Sequence, residues 1–376
     1  MHIEKCKVLL CSPLDLSSGS GISRWCHHIK NYYESHGSST VDLSVFSMDR
    51  TVYIDESMNF VKRAFLGLKD YSQIIRNICR DVSTHRYDVV HIASSASISL
   101  FKDLLLLRRL SHYNVNTILH FHFGRIPALF ACNNWEWKLL CKVAKYCTKI
   151  VVIDQLSYET LLQAGFSNVM LLPNPLSPQV SEIIAHNGTL VREPRTILFA
   201  GHVYRTKGVY ELVEACALIP DIRLRIVGKY DDSIKQELVG MASRHKSSSW
   251  LEFTGNLPFE QVVKEMLRCS VFVLPTYTEG FPNVILESMA CACPIVTTNV
   301  GAIPEMLDIA NGDYCGKCVF PQQIESLREA ILSLLDNPTY AAECGNNARL
   351  RVNSYYSMPV VWSSMQDLWL HVVPHQ

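Results

Sequence analysis

The sequence has no long apolar run, no excess of either charge, and none of the short motifs of the common hydrolases and triphosphatases. No uncharged apolar stretch reaches the roughly 18 residues that a membrane-spanning helix needs, so no such helix is expected. The 376 residues carry 35 basic and 35 acidic side chains. No overall field therefore draws the chain to nucleic acid or to an anionic bilayer, although a local patch is not excluded. There is no Walker loop, no nucleophile elbow and no H-E-x-x-H pair. Gly19 and Gly21 form a G-x-G, but Arg24 stands where a dinucleotide fingerprint needs its third glycine. The opening MHIEKCKVLLCSPLDL has only a short apolar run and reads as a first strand rather than a leader. With no leader, the 14 scattered cysteines read as reduced thiols of a cytoplasmic protein. Cys315 and Cys318 make a lone C-x-x-C without two further ligands at zinc spacing.

What is present is a globular composition, 48% hydrophobic and 19% charged, on a length that suits two domains. Short Val/Ile/Leu-rich runs read as buried strands at 7–11, 88–92, 117–121, 150–153, 197–200, 223–227, 271–274 and 295–297. Helical periodicity fills segments between them, such as 208–218, 259–269, 285–291 and 322–335. This alternation predicts an α/β protein with parallel sheets covered by helices. Pro173, Pro175, Pro178 and Pro194 mark a crossover. The expected division is an N-terminal Rossmann-like domain over 1–175 and a C-terminal one over 176–357, with a final helix, 358–376, packing back on the first. Two doubly wound domains facing each other would leave a cleft at the carboxyl ends of their strands. The segment 100–110, LFKDLLLLRRL, reads either as a helix buried against the first sheet or as a membrane-surface helix.

The richest stretch is PTYTEGFPNVILESMACACPIVTTNVGAIPE, from Pro275 to Glu305. A buried strand ends at Pro275, a polar loop carries Glu279, Gly280, Phe281 and Pro282, and a helix starts near Asn283, a favoured N-cap residue. Its N-terminus, beside Val284, is a ready anion site. Glu287 follows about one turn in, where a carboxylate could accept from ribose hydroxyls. A second stretch, ILFAGHVYRTKGVYELVEAC, ends a strand at Gly201 and runs through His202 and Arg205 to Lys207, a compact cation suited to phosphate. A third, LHFHFG, places His120 and His122 two apart at a strand end. Two imidazoles there could hold a metal, but no third ligand is evident. The glycine pair Gly19 and Gly21 follows the first strand, as a plain turn or as a close backbone approach to a ligand.

Two glutamates eight positions apart, Glu279 and Glu287, bracket Gly-Phe-Pro-Asn. With VGKYDD, FTGNLPFEQV and FVLPTYTEGF, they make the chain resemble the family-4 retaining glycosyltransferases of the GT-B fold, of the bacterial polysaccharide and O-antigen biosynthesis type. The resemblance covers nearly all of the second half and, more weakly, the first. It implies a donor site holding Gly201, His202, Arg205, Lys207, Asn256, Gly280, Phe281, Pro282, Asn283, Val284 and Glu287, with Gly19 and Gly21 in the facing glycine loop. It also implies a histidine beside the transferring sugar, His122 or else His120, and places Glu279 near that sugar. The family's basic pair has an arginine after the glycine. Here that position is His202, which leaves open whether His202 or Arg205 partners Lys207.

The implied reaction is retaining transfer from a UDP- or GDP-sugar to a glycan or lipid-linked oligosaccharide acceptor, in cell-surface polysaccharide or lipopolysaccharide biosynthesis. No cofactor and no metal are expected, and no nucleic acid partner. The implied location is cytoplasmic, with peripheral contact at the inner-membrane face as a further expectation. A nucleotide-sugar epimerase of the same fold and a non-catalytic nucleotide-sugar-binding subunit are the alternatives.

Overall fold

The computed structural model describes residues 5–16, 21–49, 60–245 and 248–373, without side chains for 60–68 and 245. The chain divides into two compact units. The first comprises the residues up to Pro173 together with those from Val361 on, and the second Asn174–Val360.

The first unit holds β1 (Cys6–Ser12), β2 (Val41–Ser47), β3 (Val89–Ser94), β4 (Asn116–Phe121), β5 (Lys149–Val152) and β6 (Val169–Leu171). They form one parallel sheet in the order β2-β1-β3-β4-β5-β6. β3 is buried at every position and β4 at all but its first. A strand with helices on both faces needs this continuous apolar character rather than alternation. Helices at Gly21–His36, Phe60–His85, Ser99–Leu110, Ile126–Cys132, Trp135–Ala144 and Gln155–Gln163 cover it. A further helix, Met358–Val372, enters this unit at Val361. Its Trp362 lies 5.8 Å from the ring of Tyr32, and its Gln366 amide donates to Ser38 Oγ at 2.6 Å.

The second unit holds β7 (Thr196–Ala200), β8 (Arg223–Val227), β9 (Leu251–Gly255), β10 (Val271–Leu274), β11 (Ile295–Thr298) and β12 (Lys317–Val319). Their order is β12-β11-β10-β7-β8-β9, again all parallel. The strand sequence runs outward in one direction from β7 through β8 to β9, and in the other from β10 through β11 to β12. The order therefore reverses between β7 and β10. In open parallel sheets the crevice at the carboxyl ends of such a strand pair takes the ligand. Both sheets alternate with helices, and the fold is α/β.

Four strands lie outside the sequence expectation: β2, β6, β9 and β12. All four are sheet edges. The helix expected to start near Asn283, with its periodicity over 285–291, spans Asn283–Ala290. Among the described residues, no helix is long and apolar enough to cross a membrane.

Candidate active site

In the second unit three loops meet at the β7/β10 reversal. The loop after β7 ends at Gly208, whose φ is +72°, and a Cβ there would lie 1.9 Å from the carbonyl oxygen of Pro275. Only glycine allows the two loops to press together this closely. The Tyr277 amide donates to the Thr206 carbonyl at 2.9 Å, and its hydroxyl donates to Glu211 at 2.5 Å. The loop after β11 closes from the other side. Gly301 has φ +56°, and an added Cβ would lie 2.2 Å from the Glu279 carbonyl oxygen. The Ala302 amide donates to the Gly280 carbonyl at 2.9 Å, and the Thr298 hydroxyl to the Thr276 carbonyl at 2.5 Å.

This backbone frame brings Lys207 and Glu279 together. Lys207 Nζ stands 2.5 Å from Glu279 Oε1, with both side chains partly buried. Sequence reasoning singled out each residue without pairing them. Arg205 lies over the Tyr210 ring at 4.4 Å. His202 is exposed and stacks parallel to Tyr204, with ring centroids 5.7 Å apart. Asn256 is exposed just beyond β9, two strands across from β7.

The helix Asn283–Ala290 starts differently from the sequence expectation. Pro282 occupies the N-cap position and Asn283 is already the first helical residue, so no side chain caps this end. Proline's fixed φ suits a helix entry, but it brings no acceptor for the open amides. The Asn283 Oδ1 is itself buried without a hydrogen-bond partner. Phe281 is buried and packs edge-on against Tyr356 at 5.7 Å, which leaves its backbone as the part available to a ligand. Asn283, Val284 and Glu287 share the face of this helix that is only partly buried, while Ile285, Leu286 and Met289 are in the core.

One side chain anchors this half from behind. The Arg192 guanidinium donates to four carbonyls: Met266 at 3.2 Å, Cys269 at 2.7 Å, Cys291 at 2.8 Å and Ala292 at 2.6 Å. These lie at the ends of the helices Phe259–Arg268 and Asn283–Ala290. Nothing in the local sequence around Arg192 signals that role, because all four partners are distant in the chain.

In the first unit β4 ends at Phe121, with His120 inside the strand and His122 just beyond it. The two rings nevertheless stay 3.9 Å apart. His120 is fully buried and is part of a directed chain. Trp369 Nε1–H donates to His91 Nδ1 at 3.0 Å. That leaves His91 Nε2–H as the donor to His120 Nδ1 at 3.2 Å, so His120 carries its own proton on Nε2. Burial first, and the neighbouring imidazole of His122 second, push His91 down to about 3. The same causes hold His120 well below the ordinary histidine range. Both are neutral core groups. His122 is only partly buried, its amide donating to the Ser94 carbonyl at 3.0 Å and its ring 4.4 Å from that of Trp25. Gly21 opens the helix Gly21–His36, with open space where a Cβ would stand. Gly19 lies outside the described residues.

Residues 181–351 match the model of the family described as glycosyl transferases group 1. An uncharacterized glycosyltransferase of Haemophilus influenzae is 24% identical over 361 residues, covering 91% of this chain and 94% of that protein. The capsular polysaccharide biosynthesis glycosyltransferase CapM of Staphylococcus aureus is 27% identical over 194 residues, 48% of this chain and 47% of CapM. The chain thus spans nearly all of the first relative and about half of the second. Among solved structures, HepE from Anabaena in complex with UDP superposes with a TM-score of 0.71 at 15% identity, covering 98% of this chain and all of that one. The fold is that of the GT-B proteins, and the matches together support a glycosyltransferase.

Proposed function

We propose that the chain transfers a sugar, with retention of anomeric configuration, from a nucleotide-sugar donor to a glycan or lipid-linked acceptor in cell-surface polysaccharide biosynthesis. The carrying observation is the convergence at the β7/β10 reversal of Lys207, Glu279 and an uncapped helix N-terminus, with Glu287 one turn further on. The second unit then holds the donor. Lys207 and the helix end offset charge developing on the departing diphosphate, in a frame already set before reaction. Glu287 accepts from the ribose hydroxyls. Glu279 keeps Lys207 in place and lies beside the sugar, where the backbone of Gly280 and Phe281 contacts its hydroxyls. The first unit takes the acceptor, with His122, or else His120, as its candidate catalytic histidine. HepE has been solved with UDP-glucose, which supports a nucleotide-sugar donor of that general kind.

The test is a binding screen with UDP-, GDP- and ADP-sugars, then turnover with the tightest ligand and NMR of the product's anomeric proton. Retention with turnover lost in Glu287→Ala is the expected result. An inverted product would sink the retaining mechanism, and unchanged donor affinity in Glu287→Ala would sink the donor site as drawn.

A further inference from the structure

The helix Ser99–Leu110 buries Leu100, Leu104, Leu106, Leu107 and Leu110 against the first sheet, as one sequence reading expects. Its opposite face is not polar. Ile98, just ahead of it, is 68% exposed, Phe101 52% and Leu105 51%. Trp135, 55% exposed at the start of the adjoining helix Trp135–Ala144, stacks on Phe101 with ring centroids 6.1 Å apart. Cations run from the first turn of the second helix to the far ends of both. Arg108, Arg109, Lys138, Lys142 and Lys145 are all exposed. The two acids of these helices are withdrawn from the surface. Asp103 accepts from Ser94 Oγ at 2.6 Å. Glu136 accepts from the Ser97 amide at 3.0 Å and from Arg125 at 3.1 Å. A chain of zero net charge thus carries, along these two helices, exposed charge that is entirely positive beside four large exposed apolar side chains. Apolar surface of this kind on a globular protein marks an interaction site.

We propose that this face docks on the headgroup region of an anionic lipid membrane. Apolar and aromatic side chains at one end, with cations beside and beyond them, match an interfacial helix pair, which sinks its apolar part to the acyl boundary and keeps its charges among lipid phosphates. A nucleic acid would supply phosphates but no apolar phase for Ile98 and Leu105. The buried Glu136, fastened to the loop before the first helix, holds the two helices as one platform. The apolar end lies at the carboxyl edge of the sheet, since Ile98 follows β3 and His122 follows the neighbouring β4. Docking therefore brings that edge to the membrane level, where the headgroup of a lipid-linked acceptor would reach His122. This last step rests on the transfer reading; the docking does not.

The experiment is cosedimentation of the full chain with vesicles of phosphatidylcholine alone or mixed with phosphatidylglycerol, at low and high salt. Binding to the anionic vesicles, weakened by salt, is expected. Each surface cation contributes about fivefold to the partition coefficient, so Lys138→Glu with Lys142→Glu should lower it by at least roughly 25-fold. Phe101→Asp should abolish binding at high salt, where the apolar contribution remains. The lysine pair is fully on the surface and keeps the test decisive even if Phe101→Asp perturbs the helix. Absence of vesicle binding, equal binding to neutral vesicles, or variants that bind like the parent would each overturn the proposal. So would self-association or capture of a single protein that depends on Phe101 when no vesicle binding is seen. Nucleotide-sugar affinity, measured in parallel, separates the two ideas. Vesicle binding lost with donor binding intact removes only the membrane face, and the converse removes only the donor site.

Discussion

Acid should weaken the first unit through its buried histidines. His91 titrates at about 3 in the folded state and His120 well below its ordinary value, whereas in the unfolded chain both take a proton near pH ~6.5. The folded pKa lies below the unfolded one, so the folded state binds fewer protons. The stability from burying neutral imidazole is complete above the unfolded value and is lost as pH falls from there toward the folded one. In that window each group costs about 1.4 kcal/mol per pH unit. Between pH 7 and 5 His91 loses roughly 2 kcal/mol, against a typical total of about 5–15, and His120 adds a loss in the same direction. Asp103 and Asp154, whose carboxyls burial pushes up, act in the opposite direction, so a difference between variants is the sound measure. Gln at position 91 offers an acceptor to Trp369 and a donor to His120 without a titrating ring. The assay is urea unfolding at a series of pH values, followed by tryptophan fluorescence. Five of the six tryptophans, Trp25, Trp135, Trp137, Trp362 and Trp369, belong to the first unit. His91→Gln should lose about 2 kcal/mol less than the parent between pH 7 and 5. Parallel pH profiles for the two proteins would refute the neutral-core assignment.

Replacing Lys207 by Met should lower turnover by roughly 10²–10³, the usual loss when a preorganised charge is removed, and steady-state kinetics with the selected donor would show it. Glu279→Gln, which removes the charge of the lysine's 2.5 Å partner, should reduce turnover more than donor affinity, and calorimetry beside kinetics distinguishes the two. Gly208→Ala forces a Cβ against the Pro275 carbonyl at an unfavourable φ. A loss of at least about 3 kcal/mol is expected, and a thermal melt equal to the parent's would contradict the close approach. Arg192→Met leaves four carbonyls without their donor, at about 3 kcal/mol. Chemical denaturation of the second unit should show it, with Arg192→Lys less affected.

The strands legible in the sequence are the ones that the sheets bury on both faces. β8 and β10 were bounded to the residue because RLRIV and VFVL are short apolar runs between turn signals. β2 (VDLSVFS), β9 (LEFTG) and β12 (KCV) escaped because an edge strand is covered on fewer sides and keeps polar residues within it. The β7 and β10 loops were legible as motifs, but their pairing through Lys207 and Glu279 was not, since 72 positions separate them in the chain. Asn283 misled by its cap propensity: Pro282 ahead of it set the helix start one residue early. The imidazole chain from Trp369 to His120 was out of reach for a similar reason. A histidine inside a buried strand reads as core, and only the fold shows which distant N–H fixes its tautomer.

The Trp369–His91 hydrogen bond has a consequence for how the molecule is made. The first unit is discontinuous in sequence, and the indole that orients its histidines is translated only after the whole of the second unit. Domains generally fold as they leave the ribosome, amino-terminal first. Here the earlier unit must wait with His91 lacking its donor while the later one becomes complete. The loop closed by that contact spans 278 positions. The closure cost of a flexible loop grows only logarithmically with its length, so the long separation is not prohibitive. The last helix of the first unit thus becomes available only after the whole of the second unit has been translated.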